Sequence, residues 1–73
     1  MKEEILEILN EIREDVDFEE ETSLIDDGVL TSLDVVAVVS ELNDAFDIEI
    51  SADDLLPENF NSLDAICNLV ANM

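Results

Sequence analysis

The segment Asp27-Gly28-Val29-Leu30-Thr31-Ser32-Leu33-Asp34-Val35-Val36 concentrates most of the chemistry this chain could do. Ser32 sits where a glycine-containing loop gives way to a run with helical spacing. A hydroxyl there is exposed, and the first backbone N–H groups of a helix lie beside it without partners of their own. A phosphodiester on that oxygen gains from those donors and from the helix dipole, by about 0.3–1 kcal/mol for each such effect. Gly28 lets the loop reverse, and Val29 and Leu30 anchor it. On these grounds alone Ser32 is a good place for a phosphate, and an unmodified serine near a helix cap remains the other reading.

The remaining reactive side chains fit structural roles. Ser62 repeats the Ser-Leu-Asp triplet but follows Phe60 and Asn61, with no glycine loop before it, and reads as a capping residue at a helix start. Cys67, the one cysteine, falls on an apolar helical face, so neither an internal disulfide nor a multi-thiolate zinc site is available. Histidine is absent, which removes the usual general base and the commonest metal ligand. A calcium loop aligned on Gly28 would put Ser23 and Ile25 at its first and third positions, where oxygen ligands with carboxylate or amide character are needed. No dedicated metal site and no catalytic residues are expected. The chain reads as something other than an enzyme.

Charge narrows the partners. Twenty-one acidic residues face only Lys2 and Arg13, for a formal net charge of -19 over 73 residues. Two cations cannot neutralise a phosphate track, so nucleic-acid binding is excluded, and anionic membranes are disfavoured for the same reason. Proteins with basic patches are the natural partners, and a charge of this size keeps the chain soluble and monomeric. Hydrophobic residues make up 48% of the chain, which is not the composition of a disordered acidic tail. The length allows one domain, residues 1–73. The acidic start MKEEILEIL lacks the features of a signal peptide, and no apolar stretch approaches a membrane span. Membrane insertion is not expected, and the cytoplasm is the default compartment.

The elements that must position Ser32 follow from periodicity. Ile5, Ile8, Leu9, Ile12 and Val16, with Leu6, predict a first helix over about 2–15. Residues 16–31 form a long acidic loop held down by Phe18, Leu24, Ile25, Val29 and Leu30. A second helix from Thr31 or Ser32 to about Phe46 buries Val35, Val38, Val39, Leu42 and Phe46, with Leu33, Val36 and Ala45 beside that stripe. Ile48 to Ile50 is an extended link. Ser51 to Leu56 make a short helical turn, capped by Ser51 and stopped by Pro57. The last helix covers about Ser62 to Ala71, with Asn61 as N-cap and Leu63, Ile66, Cys67, Val70 and Met73 inward. The fold class is all-α: a small bundle of three main helices plus one short helix, with a long loop between the first two.

With these elements in place, the whole chain resembles the acyl carrier protein family and its D-alanyl and peptidyl carrier relatives. The resemblance runs through the amphipathic first helix, the long acidic loop, Gly28-x-Leu30-x-Ser32-Leu33 and Asp34-Val35-Val36. It continues through Glu41-Leu42, Phe46-Asp47-Ile48, the Ile50-Ser51-Ala52-Asp53-Asp54-Leu55 turn and Asn59-Phe60-Asn61-Ser62-Leu63-Asp64-Ala65-Ile66. The family's modified serine maps onto Ser32. Two positions depart from the pattern: Thr31 stands where the family usually has aspartate, and Ala37 where fatty-acid carriers often present an acid. Thr31-Ser32-Leu33-Asp34 fits a capping box, so threonine can still cap the helix.

The resemblance implies 4'-phosphopantetheine covalently attached to Ser32 by a phosphopantetheinyl transferase using coenzyme A and magnesium. Cargo is then held as a thioester on the arm, loaded by a ligase or synthase and delivered to acyl-transferring enzymes. A fatty or polyketide-type acyl group, as in fatty acid biosynthesis, is the first reading of the cargo. D-alanine or another amino acid, for cell-wall or peptide assembly, is the second, although Leu33-Asp34 replaces the aromatic residue and glycine those relatives tend to carry. Asp34, Glu41, Asp44 and Asp47 form an acidic edge for partner binding. An acidic docking module that is never modified is the rival from another class, and Thr31 argues for it.

Overall fold

The computed structural model describes all residues, 1–73, as an all-helical bundle without strands. Helix α1 spans Lys2–Ile12 and α2 spans Ser32–Phe46. A 3₁₀ turn at Ala52–Asp54 is followed by the one-turn helix α3, Pro57–Phe60, and by α4, Leu63–Ala71. Helix α1 packs on α2 and α4, and α3 abuts α4. No helix is long and apolar enough to cross a membrane.

Twelve buried apolar residues form one cluster, drawn from every long helix, from the loop between α1 and α2, and from Ile50 and Phe60 in the segment after α2. Ile5 and Leu9 enter it from α1, Val38 and Leu42 from α2, and Leu63, Ile66 and Val70 from α4. Phe18, Leu24 and Leu30 come from the long loop, which is therefore part of the core and not a tether. Leu9 and Leu42 are both fully buried. Cutting either to alanine costs about 2–5 kcal/mol, a large share of the ~5–15 kcal/mol that stabilises an ordinary domain.

Helix α1 stops three residues short of the predicted end. Arg13 is its C-cap, with φ -138 and ψ 94, and its N–H still donates to Leu9 O. Continuing would set Glu14 and Asp15 in the last turn, against the negative end of the helix dipole. Leaving the helix at Arg13 also turns its guanidinium toward α2. Val16, expected on the α1 stripe, packs half-buried against the core from the loop.

Helix α2 begins at Ser32, as expected, but its inward face is narrower than the sequence pattern suggested. Val38 and Leu42 are buried, while Val35, Val39 and Phe46 are half-buried. Leu33, Val36 and Ala45 face outward. The helix ends at Asp47, whose φ of 53 is left-handed and whose N–H donates to Asn43 O. Gly28, at φ 70, supplies the other left-handed residue.

The segment after α2 differs most from expectation. Ser51 does start a turn: the Asp54 carboxylate accepts hydrogen bonds from the Ser51 N–H and hydroxyl. Pro57, however, opens α3 instead of stopping a helix, because proline at the first helical position loses no hydrogen bond. Ser62 caps α4 as expected, its Oγ accepting from Ala65 N–H at 3.0 Å, and Asn61, the other candidate cap, does not. Met73 lies exposed beyond that helix, and Cys67 is half-buried on its inward flank.

Candidate functional site

The N-terminus of α2 is built by a reciprocal cap. Thr31 Oγ1 accepts a hydrogen bond from Asp34 N–H at 3.2 Å, and Asp34 Oδ2 accepts one from Thr31 N–H at 3.0 Å. This capping box was legible in the sequence, and it makes Ser32 the first helical residue. The Ser32 side chain is exposed, so its hydroxyl is free to react.

Arg13 reaches the same cap from the end of α1. Its Nη1 donates to Asp34 Oδ2 at 2.8 Å and to Val29 O at 3.0 Å. Its Nε and Nη2 form a fork on the two Asp15 carboxylate oxygens, at 3.0 and 2.9 Å. The Thr31 backbone N–H and then Arg13 hold the Asp34 carboxyl below the usual carboxylate range. Arg13 likewise lowers Asp15, and the two acids, Asp15 foremost, raise the guanidinium further above its already high value. Asp34 is thus engaged inside the protein, with its side chain 17% exposed.

A groove of about 530 Å³ opens beside Ser32. It is lined by Ile25 and Leu30 of the loop, by Val35 of α2, and by Leu56, Pro57 and Phe60 from the segment after α2. The volume lies within the range of small-molecule sites. None of the lining residues is ionisable. The groove can shelter an apolar chain, but it holds no acid, base or metal ligand. No group of histidine, cysteine and acidic residues elsewhere is arranged to hold a metal ion.

Of the acidic edge, Glu41, Asp44 and Asp47 are exposed. At about 100° per residue, Leu33, Val36, Ser40 and Asp44 share one outward arc of α2. Glu41 lies at the edge of that arc, on the flank that carries Asp34. Leu33 is 82% exposed and Val36 61%, so the surface nearest Ser32 is apolar and becomes acidic only farther along the helix. Ser62 is committed to capping, and burial, followed by the nearby Asp64 charge, pushes the Cys67 thiol up.

Sequence reasoning missed three features: the groove, the Arg13 junction and the role of Asn61. The Asn61 carbonyl accepts from Leu24 N–H and its side chain accepts from Ile25 and Asp26 N–H, so it ties the loop that supplies Ile25 to the groove to the α3–α4 junction next to Phe60. Arg13 did leave a signal, since one of only two cations among 21 acids was bound to find a structural partner. Asn61 left none, because an asparagine before a helix reads as a cap.

The residues available fit a phosphopantetheine arm. An exposed serine hydroxyl at a helix N-terminus gives an attachment oxygen and a favourable setting for its phosphodiester, and an adjoining apolar groove can receive what the arm carries. Comparison with curated proteins and with solved structures gives no significant match. The family model described as "Phosphopantetheine attachment site" matches residues 1–70. The chain belongs to that family, and it is a non-catalytic, phosphopantetheine-bearing carrier protein.

Proposed function

We propose that Ser32 carries the arm and that the cargo is a fatty or polyketide-type acyl group. The observation that carries this reading is the groove beside Ser32, apolar and without an ionisable side chain. A hydrocarbon chain lying there leaves water, with a gain of about 0.8 kcal/mol for each buried CH₂. The ammonium of an aminoacyl cargo would find no carboxylate in the lining, and this favours the acyl reading over D-alanine.

The arm, once attached, supplies the thiol that holds cargo as a thioester. The protein's own contribution is more limited. Ser32 offers the acceptor oxygen, and the transferase takes its proton. The Thr31–Asp34 box keeps α2 helical up to Ser32 and takes up the Asp34 N–H, leaving the N–H groups of Ser32 and Leu33 available to the phosphodiester. The family requires a phosphopantetheinyl transferase and loading enzymes as partners. Leu33 and Val36 offer such enzymes an apolar contact next to the arm. Glu41, Asp44 and Asp47 offer a basic patch its counter-charges, and Asp34 can add only what Arg13 leaves free.

Intact-mass analysis tests the reading. With a broad-specificity transferase, coenzyme A and magnesium, the wild type gains one phosphopantetheine, Ser32→Ala gains none, and Ser62→Ala behaves as wild type. Wild type that gains nothing would instead support an unmodified docking module. Loading by a D-alanine ligase in preference to an acyl synthetase would overturn the cargo assignment.

A further inference from the structure

The stretch around Ser32 is bracketed by a single nitrogen. Arg13 Nη1 donates to Val29 O, three residues before the serine, and to Asp34 Oδ2, two residues after it. That Asp34 oxygen is also the one that accepts from Thr31 N–H. The other face of the guanidinium is locked to Asp15 by two bonds, which fixes the plane of the fork. Three separate parts of the chain therefore meet on one side chain: the end of α1, the last turn of the loop and the cap of α2. Among the protein's side-chain hydrogen bonds, Arg13 alone ties α1 to this junction. The Arg13 side chain is 29% exposed, against 60% for Lys2, whose single bond to Asp64 lies far out in solvent.

We propose that Arg13 is a positioning residue for Ser32, fixing the loop end and the helix cap between which the serine hydroxyl is presented to the modifying transferase. This rests on Ser32 being the attachment point. Arg13 does not touch the reacting oxygen. It acts through Val29 and Asp34, and no lysine reproduces the two-sided fork. A transferase that must align the serine oxygen with a phosphorus atom is sensitive to small displacements of that oxygen, because misplacement by about 1 Å can cost ~100-fold in rate.

The test measures transfer kinetics from coenzyme A to the full chain. Arg13→Met is compared with wild type, with Asp15→Asn, and with a core variant such as Ile66→Val chosen to match its loss of thermal stability. Arg13→Met is expected to lower the kcat of transfer by at least about tenfold with little change in KM, and Arg13→Lys to recover part of that loss. The core variant should stay within about threefold of wild type, a band narrower than the positioning effect, and Asp15→Asn, which loosens the fork by removing one acceptor, should fall between it and Arg13→Met. Equal rates for Arg13→Met and the stability-matched core variant would overturn the proposal, as would a change confined to KM. Should Arg13→Met fail to fold, Arg13→Gln, which keeps one donor but not the fork, is read against the same controls with the same outcomes. Failure of the wild type itself to be modified at Ser32 strikes the attachment assignment, whereas a modified wild type with indifferent Arg13 variants strikes only this inference.

Discussion

Asn61 Oδ1 lies 3.0 Å from the backbone nitrogen of Ile25, a partner 36 positions away in the chain. The same oxygen accepts from Asp26 N–H at 3.1 Å, Asn61 O accepts from Leu24 N–H, and Asn61 Nδ2 donates to Asp26 Oδ2. The side chain thus satisfies backbone donors of the loop, at Ile25 and Asp26, from the α3–α4 junction. Asn61→Ala leaves those donors short of an acceptor, and each orphaned group costs about 1–3 kcal/mol. Urea unfolding should show a loss in that range. Asn61→Asp should also destabilise, since it keeps the acceptor but sets a second carboxylate against Asp26. A loss under about 0.5 kcal/mol, the size of an ordinary surface substitution, would mean the loop is held by Leu24 and Leu30 alone.

Asp47 closes α2 in the left-handed region, at φ 53, and places a negative charge at the negative end of the helix. Both features work against the fold. Asp47→Gly removes the steric penalty and the charge together and should raise stability by about 0.5–1 kcal/mol. Asp47→Asn, which keeps the side-chain shape and removes only the charge, should give the smaller part of that gain. The same substitutions weaken binding to a basic loading enzyme if Asp47 belongs to the docking edge. Stability and affinity moving in opposite directions would mark Asp47 as a residue kept for partners.

Much of this fold is legible in the residue pattern, and the rest is hidden for identifiable reasons. The three long helices follow from apolar spacing, and the Thr31–Asp34 box from a four-residue pattern, because such features are local. The end of α1 was misplaced because Val16 continues the apolar stripe, although Arg13 leaves the helix for partners that lie far along the chain. Pro57 was taken for a stop because proline ends helices and also begins them, and only the path of the preceding Leu56 decides which. Leu33 and Val36 were placed beside the core by hydrophobicity, yet they face solvent next to Ser32. The groove arises from three segments packed together, and no single stretch of sequence contains it.

The acid side of the stability profile has two opposed parts. Asp15 and Asp34 have folded-state pKa values below the ordinary 3.8. A depressed carboxyl adds stability that is fully present above the unfolded value and is lost as pH falls through the folded one. Their contribution therefore holds from neutrality down to about 4 and disappears below that. Against it, partial protonation of so acidic a surface reduces self-repulsion before that point is reached. Thermal midpoints should rise slightly from pH 7 to about 5, then fall steeply below the ordinary carboxylate range, near 4. Arg13→Met should flatten the fall only in part, since Asp15 then loses the main cause of its depression while the Thr31 N–H still holds Asp34 down. A midpoint that declines steadily from pH 7, with no rise, would show that repulsion is not the fold's weak point.

Salt addresses the same weakness without protonating anything. Both cations are already paired, Lys2 with Asp64 and Arg13 with Asp15 and Asp34, so most of the 21 acids have no counter-charge within the protein. They crowd at Glu19 to Glu21, at Asp26 and Asp27, and at Asp53 and Asp54. At physiological ionic strength the Debye length is about 8 Å, comparable to the spacing of neighbouring surface charges, so monovalent salt should remove much of the repulsion. Magnesium or calcium should act at lower concentration, because ions that gather on the folded protein's crowded carboxylates stabilise it by mass action. The thermal midpoint is expected to rise with sodium chloride and to rise earlier with magnesium chloride. Exposed pairs such as Lys2–Asp64 contribute about 0–1 kcal/mol, so their screening by salt should not reverse the gain. Charge-neutralising variants at Glu19 to Glu21 should reproduce part of the salt effect at low ionic strength and lose their advantage at high. A midpoint that stays flat from low to high salt would mean the charges are already well dispersed, and the net charge of -19 would then carry little cost for this fold.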